Sequence, residues 1–512
     1  VNTTGSDNVA IGYAALDANT TADNNVAVGK SAASAITTGE ANTAIGTSAL
    51  AVSTTASNNT AVGHAALTTN TTGADSVAVG KNALLANTTG GDNTAVGKDT
   101  MSTNTTGAGN TAVGQQALDA NTTGDDNVAI GQYALDANTT ANKNTAVGTG
   151  SLTANTTGTE NTALGRAALE SNTTANYVTG LGHGAGAANT TGTQNTYVGW
   201  GAGKSNTTGA QNTYIGSAVA YGATNTGSYN TAVGREAFYS TTTGASNTAL
   251  GYQALYANTT GHTQVAVGKE ALAACTTGVR NTAIGAEALH DLTTADANTA
   301  VGNGAIDHVT EGDGNTAVGY YPANVLTTGD YNTIIGRNPM NGLTTGDNNL
   351  GLGADAGNAS QPGGAVTTGS HQVCIGDANI TNAHIQVDWT IASDKRDKTD
   401  VEPMDLGLEF INQLEPVTYR WDKRSKYNKD QSVVPDGTHK EEQLEGGFLA
   451  QDVEAIEEQY GYLNSDKTNL ITHLSEDGKM YGIKYSKLVP MLTKAVQELS
   501  AEVEELKKKA HN

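Results

Sequence analysis

The 512-residue sequence has little of what usually builds globular cores. It holds 3 phenylalanines, 3 tryptophans, 7 prolines and 2 cysteines, and aromatic residues make up only 5%. Cys275 and Cys374 stand far apart with no Cys-x-x-Cys or Cys/His spacing, so they form neither a disulfide framework nor a zinc site and read as solitary thiols. Basic residues are also few. The 27 Lys and Arg face 50 Asp and Glu, a net charge of −23, which argues against a nucleic-acid surface because phosphate neutralisation needs clustered cations. No run of about 18 apolar residues occurs, which excludes a membrane-spanning helix. Glycine, 62 residues, is too dilute and proline too scarce for collagen. The length would suit three or four ordinary domains, yet 37% hydrophobic content, mostly small residues, does not fill that many cores.

What the sequence does have is a repeat. Asn-Thr/Val-Ala-Val/Ile-Gly recurs with its glycine at Gly12, Gly29, Gly46 and onward to Gly216 in steps of 17. One step of 18 leads to Gly234, steps of 17 run on to Gly353, and a step of 23 reaches Gly376, giving 22 copies. Thr-Ala-Val and Ala-Leu are short apolar segments suited to strands, and Asn-Thr-Thr-Gly and the motif glycine are turn chemistry. Seventeen residues are too few for a helix pair and fit one coil of a parallel β-solenoid, in which each strand pairs with its copy one repeat on. At a strand spacing of about 4.8 Å, 22 such coils predict a rod on the order of 100 Å long. Ala and Val are expected to face inward, making a thin coil that needs neighbouring chains to complete its core, with a trimer the economical solution. The array resembles the left-handed β-roll repeats in the heads of trimeric autotransporter adhesins, which implies architecture only.

Little chemistry is expected within the array. Asn-Thr-Thr matches the glycosylation sequon, but its periodicity marks structural turns. Gly-Asp-Asp-Asn at 124–127 lacks the nonapeptide context of a calcium-binding repeat, and no flat Thr-x-Thr face is maintained for ice binding. His64, His183, His262, His290 and His308 fall at varied repeat positions and read as solvated, so neither metal nor cofactor is expected. Ten aromatics concentrate in residues 177–256, across the 18-residue step. Tyr197, Trp200, Tyr214, Tyr239 and Tyr252 read either as local packing, with Tyr197 stacked on Tyr214 one coil on, or as a receptor patch for a cell-surface glycan or protein.

Composition changes abruptly after Gly376: 34 of 376 residues are charged before it and 43 of 136 after it. The array is assigned to 1–378, a connecting strand to 379–392 with Ile385, Val387, Trp389 and Ile391 alternating, and a small α+β domain to 393–512. Leu406–Leu414 reads as a helix, Val417–Trp421 as a strand, and Gly446–Glu454 as a turn or strand running into a helix. A last helix begins near Ser486. Its Leu492, Val496, Leu499, Val503 and Leu506 step by 4 and 3, a coiled-coil seam of about two heptads.

Ser393-Asp394-x-Arg396-x-Lys398, then Gly447-Phe448-Leu449-Ala450-Gln451-Asp452, then the terminal helix resemble, in that order, the endosialidase-type intramolecular chaperone (peptidase S74-like) of phage tailspikes and tail fibres. The resemblance implies a domain that assembles a trimer and then cuts itself away through a Ser–Lys dyad, here Ser393 and Lys398, at Ala392–Ser393 or Ser393–Asp394. Arg396 and Lys395 would help lower the Lys398 pKa, and Asp394 and Asp397 oppose them. Asp397 stands where the family usually has an apolar residue. The expectation is a homotrimeric phage tail fibre for host attachment, carried on the virion, with the chaperone fragment left in the host cytoplasm. An N-terminal part outside this sequence, which opens inside the repeat, would meet other tail proteins. A surface adhesin, a polysaccharide depolymerase and a self-cleaving transcription factor are the alternatives. They would require, respectively, a membrane anchor, paired carboxylates in a cleft, and a basic segment.

Overall fold

The computed structural model describes residues 2–359, 364–380, 382–386, 390–427, 432–462, 469–475 and 478–511. The fold is mainly β: 22 strands of a parallel β-solenoid, then a small domain with short antiparallel sheets and a C-terminal helix. The chain forms two compact units, Val1–Glu311 and Gly312–Asn512.

In the first unit each coil contributes one three-residue strand, from β1 (Val9–Ile11) to β18 (Thr299–Val301). Neighbouring coils pair in parallel one repeat on, as in Thr94↔Thr111, Ala95↔Ala112 and Val96↔Val113. Alternation then puts the two ends of each strand on one side of the sheet and its middle on the other. The middle Ala is buried, whereas the flanking Thr and the aliphatic third residue lie outside, half-buried or exposed. The expectation that Val faces inward therefore fails. Ala alone of the strand reaches the interior.

The interior is completed by a column of leucines, among them Leu67, Leu84, Leu118, Leu135 and Leu152, all fully buried. The Ala-Leu segment that carries them is not a strand. Gln116 and Leu118 both adopt left-handed backbone, φ +54°, at about 1 kcal/mol or more apiece. The alternation turns successive N–H groups towards opposite neighbours: Gln116 donates to the Lys98 carbonyl at 3.1 Å and Leu118 to the Ala134 carbonyl at 2.9 Å. Inter-coil hydrogen bonds on both sides outweigh the backbone preference of leucine.

Two asparagine ladders run through the buried interior. In one, the Asn121 amide donates to Asn104 at 2.8 Å, Asn104 to Asn87 at 2.9 Å and Asn87 to Asn70 at 2.9 Å. In the other, the Asn25 side chain accepts from the Asn42 backbone N–H at 3.0 Å and donates to the Gly39 carbonyl at 2.9 Å. From Asn19 on, the Asn of the Asn-Thr-Thr triplets is thus buried and structural, and from Thr71 on the first Thr of the triplet donates to a carbonyl of the next coil, as Thr122 does to Thr139 at 3.0 Å.

Near the 18-residue step the interior is rebuilt. Gly186 and Gly203 stand where other coils place leucine, and Tyr197 and Tyr214 stand where they place alanine. A Cβ on Gly203 would lie 2.2 Å from the Tyr197 ring, so large and small residues exchange places at constant volume. The Tyr197 hydroxyl accepts from Asn206 at 2.6 Å, and the Tyr214 hydroxyl from Asn225 at 3.0 Å, which joins both phenols to the amide ladder. Burial pushes both hydroxyl pKa values up.

The second unit carries four further coils, β19 (Thr316–Tyr320), β20 (Thr333–Arg337), β21 (Leu350–Leu352) and β22 (Val373–Ile375), in the same parallel register. Beyond them come α1 (Leu408–Gln413), β23 (Val417–Tyr419) paired with β24 (Glu445–Gly447), and α2 (Ala450–Gln459). The hairpin β25 (Thr472–Leu474) and β26 (Tyr481–Ile483) precedes α3 (Leu488–Ala510), itself entered through a short 3-10 turn. No strand forms at the described residues of 382–386 and 390–392, where Ile385 and Ile391 are exposed; Val387 and Trp389 lie outside the described residues. Leu406, Phe410, Leu414, Val453, Ile471, Leu488 and Met491 make a small core.

One carboxylate sits inside that module. Glu457 is fully buried and accepts from the backbone of Ile471 (2.7 Å) and Thr472 (3.0 Å) and from the Thr472 hydroxyl (2.5 Å), tying α2 to β25. Removing the acceptor strands three donors. Glu457→Ala is expected to destabilise the module by on the order of 3 kcal/mol, read as an earlier loss of α2 and hairpin amide protection; unchanged protection would refute the anchoring role.

Candidate functional site

Ser393 and Lys398 lie five residues apart, too far along the chain to meet in an extended segment. Asp394 folds the segment back. Its carboxylate accepts from the Arg396 backbone N–H at 2.9 Å and caps a single 3-10 turn, Lys395–Asp397. The Arg396 guanidinium returns to the same carboxylate at 2.6 Å and holds its pKa below the usual carboxylate range. Across this turn the Lys398 ammonium donates to Ser393 Oγ at 2.6 Å. Arg396 is thereby matched by Asp394 and is not a free positive charge beside Lys398. All of 391–398 is exposed, Ala392, Ser393 and Asp397 included.

The second motif forms a separate feature. Gly447 ends β24, where a Cβ would lie 2.4 Å from the Tyr485 hydroxyl, and that hydroxyl accepts from the Phe448 N–H at 3.2 Å. Glycine is what lets the tyrosine approach. Phe448 packs against the module core, Ala450 opens α2, and Gln451 and Asp452 are exposed in its first turn. Phe448 and Gln451 line a cleft of about 660 Å³ together with Tyr419, Trp421 and Arg424. Among the described residues, no hydrogen bond or ion pair joins this cleft to Ser393 or Lys398.

On α3, Leu488, Met491 and Ala495 are buried in the module, and Glu498 caps α1 by accepting from the Leu408 N–H at 2.7 Å. The adjoining stripe is bare: Leu492, Val496, Leu499, Val503 and Leu506 are all exposed, Val496 at 61% and Leu506 at 63%.

The aromatic segment divides. Tyr197 and Tyr214 are fully buried, their rings 5.9 Å apart, so they pack the interior and are not available to a receptor. The volume exchange with Gly186 and Gly203 is the reason. Trp200, Tyr221, Tyr239 and Tyr256 stack in sequence outside, at 5.4, 6.1 and 5.1 Å between centroids, so their ring faces serve one another; Tyr252 is exposed beneath Arg235. Of the two aspartates in the calcium-like segment, Asp125 accepts from the Ala108 N–H at 2.8 Å as part of an inter-coil ladder. His290 and His308 each lie 2.7 Å from Asp291, and the described residues contain no group of three or more His, Cys, Asp or Glu arranged for a metal. Cys275 and Cys374 are buried thiols; burial pushes the Cys275 thiol up to about 11.

Residues 393–462 match the family model Peptidase S74, described as the chaperone of endosialidase. No curated protein and no solved structure matches the chain.

Proposed function

We propose that the protein is a homotrimeric phage tail fibre for host attachment, whose C-terminal chaperone drives trimer assembly and then releases itself at Ser393. The observation that carries this reading is the pairing of a β-solenoid with the endosialidase-chaperone match in one chain. The two parts need each other. A shift by one whole repeat preserves nearly every contact of a 17-residue array, so the shaft cannot choose its own register between chains. A domain that trimerises first supplies the register, and the bare stripe on α3 suits a short coiled coil between chains already held together.

For release, Lys398 as free amine takes the hydroxyl proton while Ser393 Oγ attacks the carbonyl carbon of Ala392. Attack there closes a five-membered ring, whereas attack on the Ser393 carbonyl closes a strained four-membered lactone, so Ala392–Ser393 is the bond cut. The proton passes to the departing Ser393 nitrogen, leaving an ester, and water hydrolyses the ester to the Ala392 carboxylate and a free hydroxyl. Lysine becomes a base when burial lowers its pKa. Lys398 is exposed on one chain, so a covering neighbour would couple cutting to assembly. Once released, the fibre is held by its kinetic barrier to unfolding. Virion attachment through an N-terminal part and contact with a surface glycan or protein, with Trp200, Tyr239 and Tyr252 as contact candidates, belong to the same reading.

Intact mass of the purified protein tests it. Fragments of residues 1–392 and 393–512, with the first running as three chains under native conditions, are expected. A single uncut mass would overturn release, and one chain per particle would overturn the trimer.

A further inference from the structure

The outward side of the first unit's sheet carries an unbroken aliphatic row beside a row of Thr and Val. Every coil presents Val, Ile or Leu at the third strand position, and Ile45, Leu164, Leu250 and Ile284 keep 40–46% of their surface open. The two borders of this face differ in charge. Six of the nine Lys and Arg in residues 1–311 stand at one position, immediately after the motif glycine, Lys81 among them. No carboxylate stands there in this unit. The two positions before the strand's Asn carry nine carboxylates, Asp75 among them, against two cations. Some of the basic border is already matched within the chain, as in Lys98–Asp99 at 3.3 Å and Arg235–Glu236 at 2.9 Å. Lys30, Lys81 and Arg166 have no carboxylate within ion-pair distance among the described residues.

We infer that this face is covered by a second copy of the chain lying parallel and in register, with the basic border of one copy against the acidic border of the next. This rests on the homotrimer proposed above and adds which surface closes it. The charge pattern decides the direction. Rotation about an axis along the stack brings the two borders together in register, with unlike charges meeting at the coils of Lys30, Lys81, Lys98 and Arg166, and repeating it closes a ring. Antiparallel packing of the same faces sets basic border on basic border and acidic on acidic, which disfavours it. The apolar column between the borders supplies the non-directional attraction, and the borders supply orientation.

Asp75 and Lys81 flank the same strand, β5 (Val77–Val79), and both are exposed. Asp75→Cys and Lys81→Cys are introduced together and singly in the full chain, and each protein is treated with a short bismaleimide whose reach covers an offset of one coil. A covalent trimer on a denaturing gel is expected for the double variant and none for either single variant, with fully buried Cys275 silent in all three. A native mass of three chains without any covalent product would overturn this face while leaving the trimer intact. A native mass of one chain would overturn the trimer on which it rests.

Discussion

Ser393→Ala yields one full-length chain that still assembles, with cleavage lowered on the order of a thousandfold or more, since loss of a nucleophile removes the whole covalent route. The geometry makes a sharper version available at the partner residue. Lys398 reaches Ser393 Oγ at 2.6 Å from across a turn capped by Asp394. Lys398→Arg preserves positive charge and hydrogen-bond donation, but an arginine does not give up its proton. If lysine acts as the base, the arginine variant is as uncut as the serine variant. If lysine merely positions the hydroxyl, the arginine variant retains cutting. Intact mass against time reads both, and native mass checks that assembly is unaffected. Cutting of Ser393→Ala at the same bond as wild type would remove Ser393 from the mechanism.

The second large effect lies in the shaft. Gly80→Ala is expected to break the stack between its coil and the next. Motif glycines from Gly12 to Gly302 hold φ between +126° and +140°, a region that L side chains rarely adopt, and a Cβ on Gly80 would sit 2.2 Å from the Gly97 carbonyl oxygen. Both neighbours are pinned, since Gly80 donates to the Val62 carbonyl and Gly97 to the Val79 carbonyl at 2.8 Å each. Strain and overlap together cost roughly 3 kcal/mol or more. Because a solenoid's stability is a sum over neighbours, the defect stays local. Amide exchange is expected to rise around residues 62–97 while distant coils keep their protection, and Lys81→Ala next door leaves the pattern unchanged. Equal protection in Gly80→Ala and wild type would show that the carbonyl moves aside freely.

These expectations trace back unevenly to the sequence. The motif glycine was legible because no other residue holds that backbone, so its period reports the coil directly. The Ser393–Lys398 pair was named only through the family resemblance; the capped turn that closes the gap between them was not read from the sequence. The outward direction of the strand valines was not legible: in a three-residue strand, alternation fixes that Ala opposes its neighbours but not which side is buried. Nor was the left-handed leucine, because helix and strand propensities carry no signal for a backbone held by the next coil. Tyr197 and Tyr214 read as packing or surface until Gly186 and Gly203, at the leucine position, showed the space they fill. Glu457 was missed because Glu454, Glu457 and Glu458 look like one solvated helix face. Its spacing from Val453 and Tyr460 was the available clue, since residues four and three apart share a helix face.

The amide ladders bear on how such a chain ages. Asparagine decays in water when the following backbone nitrogen attacks the side-chain carbonyl, which requires the amide to swing towards its own main chain, and thermostable proteins tend to shed the residue. An array so rich in asparagine would be expected to spoil early. Here the Asn87 amide is held on both sides, by Asn70 and by the Gly90 carbonyl at 2.9 Å each, and dozens of its counterparts are buried likewise. The same bonds that stack the coils immobilise the reactive group, so chemical shelf life becomes a by-product of architecture, and damage should begin at exposed asparagines such as Asn2 and spread inward only as coils open.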